Sequence, residues 1–175
     1  MQNREKRDMQ KAIVIGCPGA GKSTFARALA AKTGLPLYHL DLFFWREDKT
    51  TVPRAEFLRH LHHVLGEDAW IIDGNYGSTM ELRVAACDTV FFLDYPLEVC
   101  LAGIRERKGR ARPDFPFHFP AVEKNDAFYQ FVEQYESESR PKVLELLSRY
   151  EGKRVVIFHS RDEADAYLAQ LDTPS

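Results

Sequence analysis

The stretch VIGCPGAGKST at residues 14–24 has the composition and spacing of a loop that binds a chain of phosphates. It fits the pattern Gly-x-x-x-x-Gly-Lys-Ser/Thr, in which glycines let the backbone turn its N–H groups inward around the phosphates. Lys22, also a catalytic candidate, is expected to reach the β- and γ-phosphates, and the Ser23 hydroxyl is expected to ligate Mg²⁺. A glycine-rich turn without a ligand is the alternative, but an apolar strand precedes the pattern and a helical segment follows it, as nucleotide binding requires. The predicted nucleotide-binding residues of this loop are Gly16, Pro18, Gly19, Ala20, Gly21, Lys22, Ser23 and Thr24.

Aspartates close three apolar runs farther along the chain, in the segments HLDLFFW, WIIDGNYG and FFLDYP. Asp73 is a catalytic and metal-binding candidate that would hold a Mg²⁺-bound water or assist an acceptor, with a local turn as the structural alternative. Asp41 stands beside aromatic residues and is a catalytic candidate that would orient an acceptor hydroxyl; a helix cap is the other interpretation. Asp94 is interpreted mainly as the cap of a strand–helix turn. Asn75 and Tyr76 are expected to face the acceptor.

The segment IRERKGRARPDF at residues 104–115 is rich in arginine and contains a glycine and a proline, which indicates a loop. Guanidinium groups bind phosphate in a bidentate manner, and phosphoryl transfer needs positive charge around the developing equatorial oxygens. We therefore predict a mobile lid over about residues 107–124, with a solvated basic helix end as the alternative. His159, in the turn after the last strand, is predicted to lie near the nucleotide base. The arginines with a predicted catalytic role are Arg105, Arg110, Arg112 and, from the next helix, Arg140.

Around these motifs, short apolar runs alternate with longer helical segments, which is typical of a parallel α/β sheet whose ligands bind at the carboxyl ends of the strands. The prediction is a three-layer α/β/α fold with a five-stranded parallel sheet in a single domain over residues 11–175. Residues 1–10 are predicted to be flexible, and residues 42–68 to form an insertion on the acceptor side. Strands are predicted at residues 11–16, 35–41, 69–73, 88–96 and 153–159, and helices at 22–34, 53–66, 96–108, about 123–150 with an interruption near Pro141, and 160–171.

The bulk composition limits the kind of protein. With 175 residues, 45 % of them apolar and 29 % charged, the chain has the size and composition of one soluble globular domain. A net charge of −2 gives no general attraction to nucleic acid or to membranes, so direct nucleic-acid binding is not expected. Three widely spaced cysteines argue against a zinc site and against a disulfide framework. Since neither a signal peptide nor a membrane span is recognised, a cytoplasmic monomer or homodimer is expected.

Together the motifs resemble the bacterial DNA topology modulation proteins (FlaR-like), which are small P-loop proteins related to adenylate kinase. The resemblance rests on seven segments in order between residues 11 and 171, namely GCPGAGKST, HLDLFFW, WIIDGNYG, FFLDYP, RERKGRARPD, SRPKVLELL and VVIFHSRDEADAYL. It implies an adenylate-kinase-like P-loop fold that uses ATP and Mg²⁺, with phosphate bound by residues 19–24 and Asp73 assisting the metal or the acceptor. The lid arginines of nucleoside monophosphate kinases are matched by Arg105, by Arg110 or Arg112, and by Arg140.

The stretch 42–68 departs from the adenylate kinases. It is a short counterpart of their acceptor-binding helix pair and lacks the Thr-Gly and arginine pattern that grips AMP. Two functions therefore stay open. The first is a kinase that transfers the γ-phosphoryl group of ATP to a small-molecule or nucleotide-like acceptor. The second is a nucleotide-dependent regulatory switch with slow ATPase activity that acts through a protein or nucleic-acid partner.

Overall fold

The computed structural model describes residues 8–46, 48, 50–107 and 127–171. A sheet of five strands lies at its centre: β1 Lys11–Gly16, β2 Leu37–His39, β3 Trp70–Asp73, β4 Thr89–Leu93 and β5 Arg154–Phe158. The strand order is β2–β3–β1–β4–β5, and every neighbouring pair is parallel. The strand that leads into the phosphate-binding pattern is therefore the middle strand of the sheet.

Helices connect these strands: α1 Lys22–Thr33, α2 Leu40–Phe44, α3 Arg54–Leu65, α4 Gly77–Ala86, α5 Leu97–Glu106, α6 Ala127–Gln134, α7 Arg140–Ser148 and α8 Arg161–Gln170. Their ends follow the local chemistry that the sequence predicts. Pro53 precedes α3 and Gly66 follows it, while Gly34 ends α1 with a left-handed φ of 76°. The Ser160 hydroxyl caps α8 by accepting the N–H of the third helical residue at 3.2 Å. None of the helices in the described ranges is long and apolar enough to cross a membrane.

The sheet is covered by helices on both faces. Neighbouring side chains of β1 point to opposite faces, as the pleat of a strand requires. Val14 belongs to an apolar core that includes Leu29 of α1, whereas Ile13 belongs to a second core that includes Leu61 of α3 and Val84 of α4. The predicted three-layer α/β/α fold is confirmed.

The helix α4 has no counterpart in the sequence prediction, which assigns no element to residues 77–86. Its inward positions include Met80 and Val84, but also Arg83, which is fully buried. A charged residue at an inward position breaks the apolar periodicity by which an amphipathic helix is recognised, because arginine is ordinarily exposed.

Two other segments differ in their bounds. The strand predicted over residues 35–41 ends at His39, because the chain turns there into α2, so that Asp41 lies in the first turn of a helix. The helix predicted over about 123–150 is divided by a π-helical turn, Tyr135–Ser139, between α6 and α7. Pro141 lies in the first turn of α7, where its missing N–H is tolerated.

The N-terminal segment joins the core earlier than predicted. Met9 is only 2 % exposed, and the N–H of Gln10 donates to Oδ2 of Asp88 at 2.9 Å. The flexible segment predicted over residues 1–10 therefore does not include Met9 and Gln10, and residues 1–7 lie outside the described residues.

Candidate active site

The phosphate-binding pattern connects β1 to α1, so its backbone lies at the carboxyl end of the central strand. Gly19 and Gly21 have left-handed φ angles of 88° and 94°, which L side chains rarely adopt. The helix begins at Lys22, and the N–H groups of its first turn lack intrahelical acceptors, which suits an anion at this end. Ser23 is buried in that turn, whereas Thr24 is exposed. The other predicted residues of the loop, Gly16, Pro18 and Ala20, lie in the same connection.

The back of this loop packs against the backbone of α5. A Cβ on Gly19 would collide with the carbonyl oxygen of Cys100, and a Cβ on Gly103 would collide with the carbonyl oxygen of Gly19. From the start of α8, Arg161 donates to that Gly19 oxygen at 3.4 Å. The shape of the loop is therefore supported by contacts within the protein on the side away from the predicted phosphates.

Lys22 directs its ammonium group into the loop, where Nζ donates to the carbonyl oxygen of Cys17 at 3.3 Å. Burial and the positive charge of Arg107 lower the pKa of Lys22 to about 8, while the charges of Asp73 and Asp41 oppose that shift. The ammonium group is thus within electrostatic range of both carboxylates. The structure brings these three predicted site residues to one edge of the sheet.

Asp73 ends β3, and its carboxylate is paired with a buried histidine. His39 and Asp73 are direct neighbours in the register of β2 and β3, and Nδ1 of His39 lies 2.6 Å from Oδ2 of Asp73. Both side chains are only 5 % exposed, so the ring orients the carboxylate and shields it from solvent. The sequence analysis missed His39, although a polar residue that ends a short apolar strand was a signal for it.

Asp41 lies near this edge on α2. The hydroxyl of Tyr76 donates to Oδ1 of Asp41 at 2.5 Å. The Tyr76 ring packs beside Phe44 and Phe57, with ring centroids 5.2 and 5.5 Å away. The acid and the aromatic cluster that the sequence placed side by side are therefore linked in space through Tyr76.

The turn after β3 connects this acceptor side to the phosphate loop. Asn75, which was expected to face the acceptor, instead contacts Gly16: its Oδ1 accepts the Gly16 N–H at 3.1 Å, and its Nδ2 donates to the Gly16 carbonyl oxygen. Arg83 lies buried on α4 and donates to the carbonyl oxygen of Gly74 at 2.9 Å. The sequence offered no signal for the role of Arg83, because an arginine in a helix is ordinarily assigned to solvent.

A cavity of about 440 Å³ lies beside the phosphate loop and is lined by Cys17, Asp94, Arg140 and His159 among others. Asp94 accepts two hydrogen bonds from Arg140, from Nε at 2.8 Å and from Nη2 at 2.9 Å. Nδ1 of His159 lies 3.9 Å from Oδ2 of Asp94. Asp94 therefore forms a bidentate ion pair that places Arg140 at this cavity, which corrects its interpretation as mainly a turn cap.

The remaining arginines of the predicted lid are placed only in part. Arg105 is exposed in the last turn of α5, away from the contacts described above. Arg107 follows α5 directly, and its charge reaches Lys22. Arg110 and Arg112, with the rest of the predicted lid, lie outside the described residues.

Comparison with known proteins finds the fold but no family. No family model matches the chain, and no curated protein matches it. The shikimate kinase of Bacteroides thetaiotaomicron superposes with a TM-score of 0.60 at 21 % identity, over 93 % of this chain and 96 % of that chain. The shikimate kinase of Acinetobacter baumannii, in complex with shikimate, gives 0.61 at 19 % identity over 94 % of each chain. A sugar kinase from a Janibacter species gives 0.50 at 17 % identity, over 93 % of this chain and 91 % of that chain.

At these identities the likeness defines an architecture. The chain has a P-loop kinase-like fold, with a five-stranded parallel sheet between two layers of helices, as the sequence predicts. Its resemblance to the DNA topology modulation proteins stays a prediction, since it rests on the motifs alone.

Proposed function

We propose that this protein is an ATP-dependent phosphotransferase that moves the γ-phosphoryl group of ATP to a hydroxyl group of a small-molecule or nucleotide-like acceptor. The position of Lys22 carries the proposal, because its ammonium group contacts the phosphate-binding loop and lies within range of Asp41 and Asp73. A cation between a polyphosphate site and two carboxylates suits a reaction in which negative charge shifts from one oxygen to another. We place this reaction in the cytoplasm, with no direct part for nucleic acid.

Mg²⁺ fits the residues at this edge of the sheet. The Ser23 hydroxyl and the Asp73 carboxylate are hard oxygen donors, and Mg²⁺ ordinarily takes one or two protein ligands together with phosphate oxygens and water. Within the described ranges, no three side chains of His, Cys, Asp and Glu form a candidate metal centre of their own. When bound with ATP, the ion would neutralise charge on the phosphates. His39 would keep the Asp73 carboxylate oriented toward it.

Asp41 is the proposed acceptor of the hydroxyl proton. As this proton moves to a carboxylate oxygen, the acceptor oxygen bonds to the γ-phosphorus, and the bond from that phosphorus to the β–γ bridging oxygen breaks to release ADP. The Tyr76 hydroxyl holds Oδ1 of Asp41 in place, so that the carboxylate is positioned before the acceptor binds. Lys22 compensates the charge of the transferred group.

Arginine and histidine side chains complete the proposed nucleotide site. Arg140, fixed by Asp94 beside the phosphate loop, is placed to neutralise phosphate charge there. His159 lines the same cavity and is proposed to lie near the nucleotide base. The catalytic role proposed for Arg105, Arg110 and Arg112 rests on the sequence pattern alone.

Release of ADP in the presence of a panel of hydroxyl-bearing metabolites and nucleotides tests the proposal. At least one acceptor is expected to raise the rate severalfold above that with Mg²⁺–ATP alone. Asp41→Asn is expected to lower this stimulated rate by about 100-fold or more. Its affinity for Mg²⁺–ATP, measured by calorimetry, should stay close to that of the unmodified protein, since the residue faces the acceptor. Asp68→Asn removes an exposed acid in the turn before β3 and is the matched control, expected to keep the stimulated rate.

The two candidate functions give different results in this assay. If no acceptor stimulates ADP release, or if Asp41→Asn keeps the stimulated rate, the phosphotransferase proposal is wrong. Binding of a protein or nucleic acid only when ATP is present, without any acceptor stimulation, would support the regulatory switch instead.

A further inference from the structure

Arg83 is a fully buried arginine whose guanidinium group faces the turn between β3 and α4. It donates to the carbonyl oxygen of Gly74 at 2.9 Å, to that of Asn75 at close range, and to that of Tyr76 at 3.3 Å. Its Nε also donates to the hydroxyl of Thr79 at 3.3 Å. A buried charge is costly unless it is hydrogen-bonded, and here three consecutive carbonyl groups supply the bonds.

The carbonyl groups converge because the backbone of this turn is unusual. Tyr76 has a φ of 31°, and within the described part of the chain it is the one residue other than glycine with a positive φ. This conformation is unfavourable for an L side chain and needs support from its surroundings. Burial lowers the pKa of Arg83 to about 10, so the guanidinium group stays charged at neutral pH and can provide that support.

The supported turn makes contacts in two directions. On one side, the Asn75 amide pairs with both the N–H and the carbonyl oxygen of Gly16, the last residue of β1 and the first of the phosphate loop. On the other side, the Tyr76 hydroxyl donates to Asp41 on α2. The phosphate loop and the acceptor side of the site therefore depend on the same short segment.

We infer that Arg83 and Asn75 are positioning residues that couple the acceptor side of the site to the phosphate loop. Arg83 sets the conformation of the turn, the turn sets the direction of the Asn75 amide, and the amide sets the backbone of Gly16. This role rests on the proposed nucleotide site and goes beyond it, because it makes ATP affinity depend on a buried side chain of α4.

A double-mutant cycle, measured by calorimetric titration with Mg²⁺–ATP, tests the coupling. Asn75→Ala and Arg83→Lys are each expected to weaken ATP binding by about fivefold or more, because Gly16 loses its fixed partner in both. The double variant should be within about twofold of the weaker single variant, since both changes break one chain of contacts. Leu82→Ala changes an exposed neighbour on the same helix and should bind ATP as the unmodified protein does.

A purely structural Arg83 would give a different result. Arg83→Lys would then lower the urea midpoint of unfolding and leave the dissociation constant for Mg²⁺–ATP unchanged, which would overturn the coupling. Losses that multiply in the double variant would overturn it as well. If Arg83→Lys does not fold, Thr79→Val takes its place in the cycle, because it removes the hydroxyl that Nε contacts. No binding of Mg²⁺–ATP to the unmodified protein would overturn this role and the proposed function together, whereas multiplying losses in a protein that binds ATP overturn this role alone.

Discussion

The contact between the phosphate loop and α5 allows backbone strain and backbone packing to be measured separately. Gly19 has a left-handed φ of 88°, and a Cβ there would also collide with the carbonyl oxygen of Cys100. Gly103 lies inside a helix, but a Cβ there would collide with the carbonyl oxygen of Gly19. Gly21 has a φ of 94° and nothing within 4 Å of a Cβ. Alanine at these three positions therefore imposes strain with collision, collision alone, and strain alone.

The magnitudes follow from these differences. The left-handed conformation costs an L residue about 1–2 kcal/mol, so Gly21→Ala is expected to lower the free energy of unfolding by that amount. Gly103→Ala gains about 1 kcal/mol of helix propensity, but overpacking against a backbone oxygen costs about 1–3 kcal/mol, which leaves a net loss of up to about 2 kcal/mol. Gly19→Ala combines both costs and is expected to lose about 3 kcal/mol or more, or a fall in Tm of roughly 6–12 °C for a chain of this length.

Urea denaturation followed by circular dichroism measures the loss of stability, and calorimetric titration with Mg²⁺–ATP measures the effect on the loop. Gly77→Ala, at the start of α4 with nothing within 4 Å, is the control and is expected to change stability by less than about 0.5 kcal/mol. Gly19→Ala should also show the largest loss of ATP affinity, because it displaces the loop itself. The reasoning is refuted if Gly103→Ala matches the control in stability, or if Gly21→Ala is less stable than Gly19→Ala.

The charged residues of the site give two more predictions. Raising the pH from roughly 7 to 9 should weaken ATP binding, because Lys22, with its pKa lowered to about 8 by burial and Arg107, loses its ammonium charge in that range. Binding at pH 8 should take up about half a proton, seen as different heats in two buffers of unlike ionisation enthalpy; equal heats would contradict this. Asp94→Asn should lower the free energy of unfolding in urea by about 1–2 kcal/mol, since a nearly buried carboxylate loses two charge-assisted bonds from the partly exposed Arg140. A double variant with Arg140→Gln that shows the full sum of the single losses would argue against this pairing.

Local residue types predicted most of the elements and their ends. Glycine and proline at the ends of helices act through backbone angles and missing N–H groups, which depend on a few neighbouring residues. Gly34, Pro53 and Gly66 lie where the sequence places them. The prediction failed at α4, because Arg83 occupies a buried position where an apolar side chain would have revealed the helix. It also failed at Asp41, because the turn from β2 into α2 depends on packing and not on a local breaker.

The sequence by itself determined the chemistry that is carried by adjacent residues. The loop from Gly16 to Ser23 could be recognised because its glycine spacing, its lysine and the helix that follows act over a few bonds. Only the tertiary structure decided which distant side chains meet, because strand order and register bring together groups that no local pattern relates. These pairs are His39 with Asp73, 34 residues apart, Asn75 with Gly16, 59 apart, and Arg140 with Asp94, 46 apart.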